Sequence, residues 1–231
     1  MRIGIITDVH NNVVALQAML EHLKKCKVDC ICCCGDIIGI GPYPNEIIHE
    51  MLQIDNLYCV FGNHEEYFEN KNYDCMRHEE ALFHRWEHQR LDEESTKWIQ
   101  QLPKRLDVVF EGVSCSIMHY GYDSKYKPMI QNPSGEQLEL LFSNCDSQIV
   151  LYGHMHVPSV VKHKERWFIN VGSLGCPQDS KNIARGGIVT IEDTISVELV
   201  QIPYDVDCVL HHMESVNCPA IGTIQSIFYG R

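Results

Sequence analysis

Aspartate, asparagine and histidine recur in this chain in short patterns suited to metal chemistry. Asp8-Val9-His10 spaces a carboxylate and an imidazole one residue apart, and Gly153-His154-Met155-His156 repeats the device with two imidazoles. Between them come Gly35-Asp36, Gly62-Asn63-His64 and a single histidine, His119. Two ligands separated by one residue can aim at the same ion as the chain leaves a strand. A carboxylate such as Asp36 can bridge two cations, which an imidazole cannot. Asp and His suit manganese, iron, zinc or nickel, and the absence of cysteine from these positions argues against a structural zinc site. Glycines at 35, 62 and 153 permit tight turns and close backbone approach. Each pattern alone is a weak signal; all of them in this order are a strong one.

The elements that must position these residues follow from the apolar pattern. An apolar run over 2–7 ends at Asp8, and Val13, Leu16, Leu20 and Leu23 then recur at helical spacing over 12–25. A second run, 28–34, ends at Gly35-Asp36 and precedes a helix over 44–53 that begins with proline. A third run, 57–61, ends at Gly62-Asn63-His64. This βαβαβ order predicts a parallel sheet covered by helices. A polar stretch over about 66–102, containing Trp86 and Trp98, reads as an insertion of two helices. Strands resume at 105–110 and 113–118, the latter ending at His119, and Ser134-Gly135-Glu136-Gln137 opens a helix with a capping box. The strand 148–152 ends at the His154 motif. Short strands near 158–162, 166–170, 186–191 and 195–202 and a helical tail at about 205–229 complete the chain. Asp8, Asp36, Asn63, His119 and His154 thus each follow a strand end, and five strand ends converge where an α/β sheet gathers its ligands.

Length and composition set the bounds. The 231 residues, 45% apolar and 22% charged, fit an ordinary globular protein, and we expect one domain over 1–231. A net charge of −12 argues against an extended nucleic-acid interface, which needs many lysines and arginines, but is compatible with a small phosphate ester held by cations. No stretch reaches the length of a membrane span, and Asp8 comes too early for a signal peptide; a cytoplasmic location without membrane contact is the expectation. The sequence leaves the oligomeric state open. Of the twelve cysteines, Cys30, Cys32, Cys33 and Cys34 read as small apolar residues of a buried strand. Cys30 and Cys33 form a CxxC pair with no second pair at zinc-finger spacing, and a strand would point them to opposite faces. So many free thiols fit a reducing compartment.

Other polar residues carry weaker signals. His22, His49, His163, His211 and His212 read as surface residues. His78, His84 and His88 lie in the polar helical stretch; His84 and His88 share a face at i and i+4, a metal-binding spacing with no third partner in view. Trp86 and Trp98 read as helix-packing residues. Arg185, before Gly186-Gly187, is open to a phosphate contact or a solvated position.

The set DxH, GD, GNH(D/E), H and GHxH resembles the signature of the calcineurin-like metallophosphoesterase superfamily. The resemblance extends toward its small bacterial-type phosphodiesterase branch, related to diadenosine tetraphosphatases. Asp8-Val9-His10-Asn11-Asn12 is similar to that branch's DIHGN, the stretch Gly35 to Pro42 to GDxVGYGP, and Asn170-Val171-Gly172-Ser173-Leu174-Gly175 to NPGSVG. Two positions depart: Asn11 replaces a glycine, a change compatible with a left-handed backbone, and Val171 replaces a proline in a loop that shapes the substrate pocket. The resemblance implies a four-layered α/β/β/α sandwich of two mixed sheets flanked by helices. It also implies two divalent metal ions about 3.5–4 Å apart. Asp8, His10 and His156 would hold one ion, Asn63, His119 and His154 the other, with Asp36 between them. Manganese is the first expectation, with iron, zinc, nickel or magnesium as alternatives. A hydroxide bridging the ions would attack phosphorus, and His64 would give a proton or hydrogen bond to the leaving oxygen.

The protein Ser/Thr phosphatases of the superfamily grip the phosphoryl group with arginines in GDxVDRG and RGNHE. Here Gly39-Ile40-Gly41 and Phe61 occupy those places. Their absence predicts a phosphodiester or a nucleotide compound such as a dinucleoside polyphosphate as a small substrate, with phosphomonoesters or phosphoproteins as the alternative. A scaffold that keeps the fold without the chemistry, as in the retromer subunit of the superfamily, is a more distant alternative.

Overall fold

The computed structural model describes residues 1–71, 73–74, 76–178 and 182–231. Two five-stranded mixed sheets face each other. The first comprises β1 (Arg2–Ile6), β2 (Cys30–Cys33), β3 (Leu57–Cys59), β9 (Ile183–Ile191) and β10 (Ile195–Pro203), in the order β10-β9-β1-β2-β3. The second comprises β4 (Arg105–Phe110), β5 (Val113–Met118), β6 (Ile149–Leu151), β7 (Ser159–His163) and β8 (Arg166–Asn170), in the order β4-β5-β6-β8-β7. β1, β2 and β3 run parallel, as do β5, β6 and β8, while the hairpin β9-β10 and the strands β4 and β7 pair antiparallel.

Side-chain alternation along the strands makes the layers. Ile3 and Ile5 of β1, Cys30 and Cys32 of β2, and Ile117, Leu151 and Ile169 of the second sheet fill the space between sheets. Ile6, Ile31 and Cys33 point the other way, into a core shared with the helices α1 (Val13–Lys25) and α2 (Pro44–Leu52) and with Val209 and Met213 near the C-terminus. Gly4 lies under Leu23 of α1, where a Cβ would come to 3.0 Å, so its missing side chain lets the helix settle on the sheet. On the outer face of the second sheet, α6 (Gly135–Leu141) packs Leu138 and Leu141 against Tyr152 and Phe168. The result is the four-layered helix, sheet, sheet, helix sandwich. Cys30 and Cys33 face opposite sides, and the described cysteines are free thiols.

The local signals that started the helices are visible. Asn12 caps α1 by accepting from Ala15 N, Pro44 opens α2, and Ser134 and Gln137 close a capping box on α6. Two expectations change. The polar stretch holds three helices, α3 (Asn63–Asn70), α4 (His78–His88) and α5 (Glu93–Gln101), because β3 stops pairing at Cys59 and the chain turns into a helix at Asn63 itself. β9 begins at Ile183, three residues early, so Arg185, Gly186 and Gly187 are paired strand residues. The tail is helical, as α7 (Val206–Ser215), α8 (Ile221–Ile224) and a π-helical turn over Gln225–Tyr229. Trp86 and Trp98 pack on the core beneath the helices. Among the described residues no helix is long and apolar enough to cross a membrane.

Candidate active site

The C-terminal ends of the parallel strands in both sheets open onto one rim. Asp8 follows β1, Asp36 follows β2, Asn63 follows β3, His119 follows β5 and His154 follows β6. Past the last ladder bonds the backbone keeps pairing: Asp8 N donates to Gly35 O (3.0 Å), His10 N to Asp36 O (3.1 Å) and Asn11 N to Ile37 O (2.8 Å). These bonds hold Asp8, His10, Asn11 and Asp36 at φ of 50–52°, and His154 and His156 are likewise left-handed at 72° and 52°. Non-glycine residues in this region are uncommon and concentrate at functional sites. Asn11 thus adopts the backbone that a glycine would, as expected.

All seven predicted metal-site residues come together. Ligand atoms of Asp8, His10 and His156 lie within 4.8 Å of one another, as do those of Asp36, His119 and His154. Asn63 Oδ1 is 2.9 Å from His119 Nε2. His64 also reaches the centre, with its Nε2 3.9 Å from Asp36 Oδ2 and its backbone N–H on Asp36 Oδ1 (2.9 Å).

The hydrogen bonds decide what these groups can hold. His10, His119 and His156 each direct Nδ1 at a backbone carbonyl: Ile38 O at 3.2 Å, Cys34 O at 2.8 Å and Cys176 O at 2.9 Å. A carbonyl only accepts, so Nδ1 carries the proton and a neutral ring presents a bare Nε2. Yet His10 Nε2 faces His156 Nε2 at 3.1 Å, and His119 Nε2 faces His154 Nδ1 at 3.2 Å and Asp36 Oδ2 at 3.3 Å. Lone pairs so arranged, beside two buried carboxylates, require a positive charge among them. The residues present therefore fit divalent cations.

Titration behaviour points the same way. Burial raises the Asp8 carboxyl, but His156 and His119 together outweigh it and hold the group at about 2. Burial lowers His10 and His154 to about 4. His119 is lowered by burial but lifted more strongly by Asp36, to about 9, so a proton takes the place that a cation would fill.

Sequence reasoning missed Glu65 as a functional residue, although it completes the GNH(D/E) motif. It is fully buried, and its carboxylate accepts from four backbone N–H groups: Gly62 (2.7 Å), Ile37 (2.8 Å), Ile38 (3.0 Å) and Asp36 (3.1 Å). Arg185 is not solvated: it is buried, with its stem against Gly172. Val171, at the proline position of the motif, is buried between the sheets, and Asn170 fixes that loop through Gly153 O and Gly172 N. A cleft of about 520 Å³ opens over the centre, lined by Asp36, His64, Tyr67, His84, His154 and Phe228 among others.

Residues 1–194 match the calcineurin-like phosphoesterase superfamily domain. The chain belongs to this family. It is 27% identical over 220 residues to an uncharacterised protein of Methanocaldococcus jannaschii, with 88% of each chain covered. Its structure is similar to a metallophosphoesterase of Sphaerobacter thermophilus, at 25% identity and a TM-score of 0.81 over 98% of both chains. It also resembles a hypothetical protein of Pyrococcus horikoshii, at 16% identity and a TM-score of 0.88 over 100% of this chain and 98% of the other. Membership makes the chain a metal-dependent phosphoester hydrolase by class.

Two tests follow from this geometry. Glu65→Gln leaves two of the four amides facing an NH2 group; with about 1–3 kcal/mol for each buried donor left unpaired, stability should fall by about 2–6 kcal/mol. Wild-type stability on urea unfolding would show that Glu65 does not clasp the loops. Cations must also displace the proton of His119, which the ion-free site holds up to about 9. Apparent metal affinity should therefore rise with pH until about 9, with proton release on binding. Calorimetry in buffers of different ionisation enthalpy measures both, and a flat pH profile would contradict the assignment.

Proposed function

We propose that this protein is a two-metal phosphoesterase of small substrates, acting on phosphodiesters or on nucleotide compounds such as dinucleoside polyphosphates. The observation that carries the reading is the pair of facing imidazole sets, His10 with His156 and His119 with His154, on either side of Asp36. Asp8, His10 and His156 would hold one cation and Asn63, His119 and His154 the other, with Asp36 shared; manganese remains the first expectation for both. Such cations supply Lewis acidity, neutralise charge on the phosphoryl oxygens and lower the pKa of water.

The chain's own groups do the rest. Asp8 is held rigid by Thr7 Oγ1 (2.8 Å) and His154 N (3.1 Å to each oxygen), so its position does not depend on the ligand. His64 lines the cleft, 14% exposed at the side chain, while burial holds its imidazole well below the usual range and hence neutral. In this reading a neutral ring beside the centre donates a hydrogen bond to the leaving oxygen. Among the described lining residues Arg77 is the single Lys or Arg, and its side chain is 78% exposed, next to Glu79 and Glu80. That lining supports a substrate with less charge at the attacked phosphorus than a monoester dianion carries. Tyr67, Phe83 and Phe228 support an aromatic or nucleoside group on it. The free cysteines support a reducing, cytoplasmic setting.

His64→Ala should retain its metals and lose on the order of 10²-fold or more in kcat, with a larger loss for poor leaving groups than for nitrophenyl esters. Equal losses across leaving groups would take the donor role from His64. The substrate class is tested by a manganese-supplemented comparison of bis(p-nitrophenyl) phosphate, p-nitrophenyl phosphate, dinucleoside polyphosphates and a phosphopeptide. Diesters and nucleotide compounds should be preferred. Preference for the monoester or phosphopeptide would favour the phosphomonoesterase reading, and neither metal binding nor turnover would favour a scaffold.

A further inference from the structure

One turn of α4 directs three ligand-type side chains inward, behind the cleft wall. His84, Glu87 and His88 stand at i, i+3 and i+4, so one helix face carries all three. Their side chains are 1%, 0% and 5% exposed. One ligand atom from each of the three lies within 4.8 Å of the others, and His84 Nδ1, Glu87 Oε2 and His88 Nε2 have no hydrogen-bond partner. Glu87 Oε2 is 3.4 Å from His84 Nδ1 and 3.7 Å from His88 Nε2. Ligands of a tetrahedral zinc ion at the usual bond lengths stand roughly 3.4 Å apart. The sequence supplied the two histidines; the fold supplies the third partner and removes water.

The remote atoms of the cluster are anchored as ligands are. His88 Nδ1 is 2.6 Å from Tyr73 Oη, and the tautomer with its proton on Nδ1 turns a bare Nε2 toward Glu87. Glu87 Oε1 accepts from Gly39 N (2.5 Å) and from Asn11 Nδ2, which leaves Oε2 free for the cluster. Three buried, unpartnered polar atoms converging on one point are costly unless a cation or shared protons join them.

We propose that His84, Glu87 and His88 form a further metal site, separate from the strand-end clusters, for a borderline transition metal such as zinc. Two imidazoles and one carboxylate suit zinc, iron or nickel, whereas magnesium and calcium prefer all-oxygen shells. Three protein ligands leave one position open. His84 forms part of the cleft wall, its ring 5.1 Å from that of His64, so the ion lies directly behind the residue we assign to the leaving group. The site rests on α4 alone and does not require the two-metal reading.

Anomalous diffraction from crystals of the unmodified protein grown with zinc, recorded on both sides of the zinc edge, tests it. The expected result is a peak between His84, Glu87 and His88 in addition to peaks at the strand ends. Peaks at the strand ends alone would overturn the proposal and leave shared protons as the link. A peak at α4 alone would sink the two-metal reading and leave this one standing, and no peak at either place would overturn both. In solution, zinc content after removal of excess ion should drop by one per chain in His88→Ala. Asp36→Ala should lose strand-end ions and keep the α4 ion. Unchanged zinc content in folded His88→Ala would overturn the proposal; should that variant not fold, the diffraction result on the unmodified protein decides.

Discussion

The centre depends on one buried carboxylate that touches no substrate. Glu65 gathers the amides of Asp36, Ile37 and Ile38 after β2 and of Gly62 before α3, and so fastens together two strand exits that would otherwise diverge. With those loops clasped, Asp36 Oδ1 receives the His64 N–H, and Oδ2 is left facing His119. The clasp is tight enough that a Cβ on Gly62 would come within 2.2 Å of Asp36 Oδ1. Burial together with the nearby Asp36 charge lifts Glu65 to about 7, against the four amides that favour its anion. Three buried carboxylates, Asp8, Asp36 and Glu65, therefore sit close enough to oppose one another. A cation beside Asp36 offsets that repulsion, so folding of the loops and metal binding favour each other.

The same economy explains the backbone. Asp8, His10, Asp36, His154 and His156 occupy left-handed φ, a conformation that costs of the order of 1–3 kcal/mol where it is strained. They persist because surrounding bonds over-determine them. Ser173 Oγ and Gly175 N both hold Asp8 O, and Ser173 N holds His156 O. The loop from Asn170 to Gly175, which lends no ligand, thus acts as the brace that keeps the two DxH-type corners apart at a fixed span. Val171, buried between the sheets, anchors that brace through packing where a proline would do so through a rigid ring.

Much of this was legible in the residues, for a physical reason. A strand that ends in Asp or His after an apolar run declares both its direction and its chemistry, so the five strand ends and their convergence could be read from order alone, whereas the four-layered sandwich followed from the family resemblance. What could not be read were properties created by packing. Arg185 is open to a phosphate contact or a solvated position in the sequence because a lone arginine carries no sign of what will cover it; in the fold it is a paired residue of β9, buried with its stem against Gly172. The clasping role of Glu65 has no signal in the residues because its partners are backbone amides, which every sequence has. The third helix was hidden because the apolar run through Phe61 continues past the last paired residue, Cys59.

The departure at position 11 then has a cause in the α3–α5 segment. A glycine there would satisfy the left-handed corner with less strain, but it would leave Glu87 Oε1 with the Gly39 amide alone. Asn11 accepts that corner and sends Nδ2 to both Gly41 O (3.3 Å) and Glu87. One side chain adjoining His10 is thereby bonded to a carboxylate on α4, and that carboxylate also holds Gly39, whose Cα packs so closely on His64 that a Cβ would come to 2.1 Å from Nδ1. The helices over the cleft are consequently coupled to the centre through polar groups of defined geometry as well as by apolar packing. Any rotation of α4 that disturbs Glu87 must displace Gly39, and with it the ring of His64.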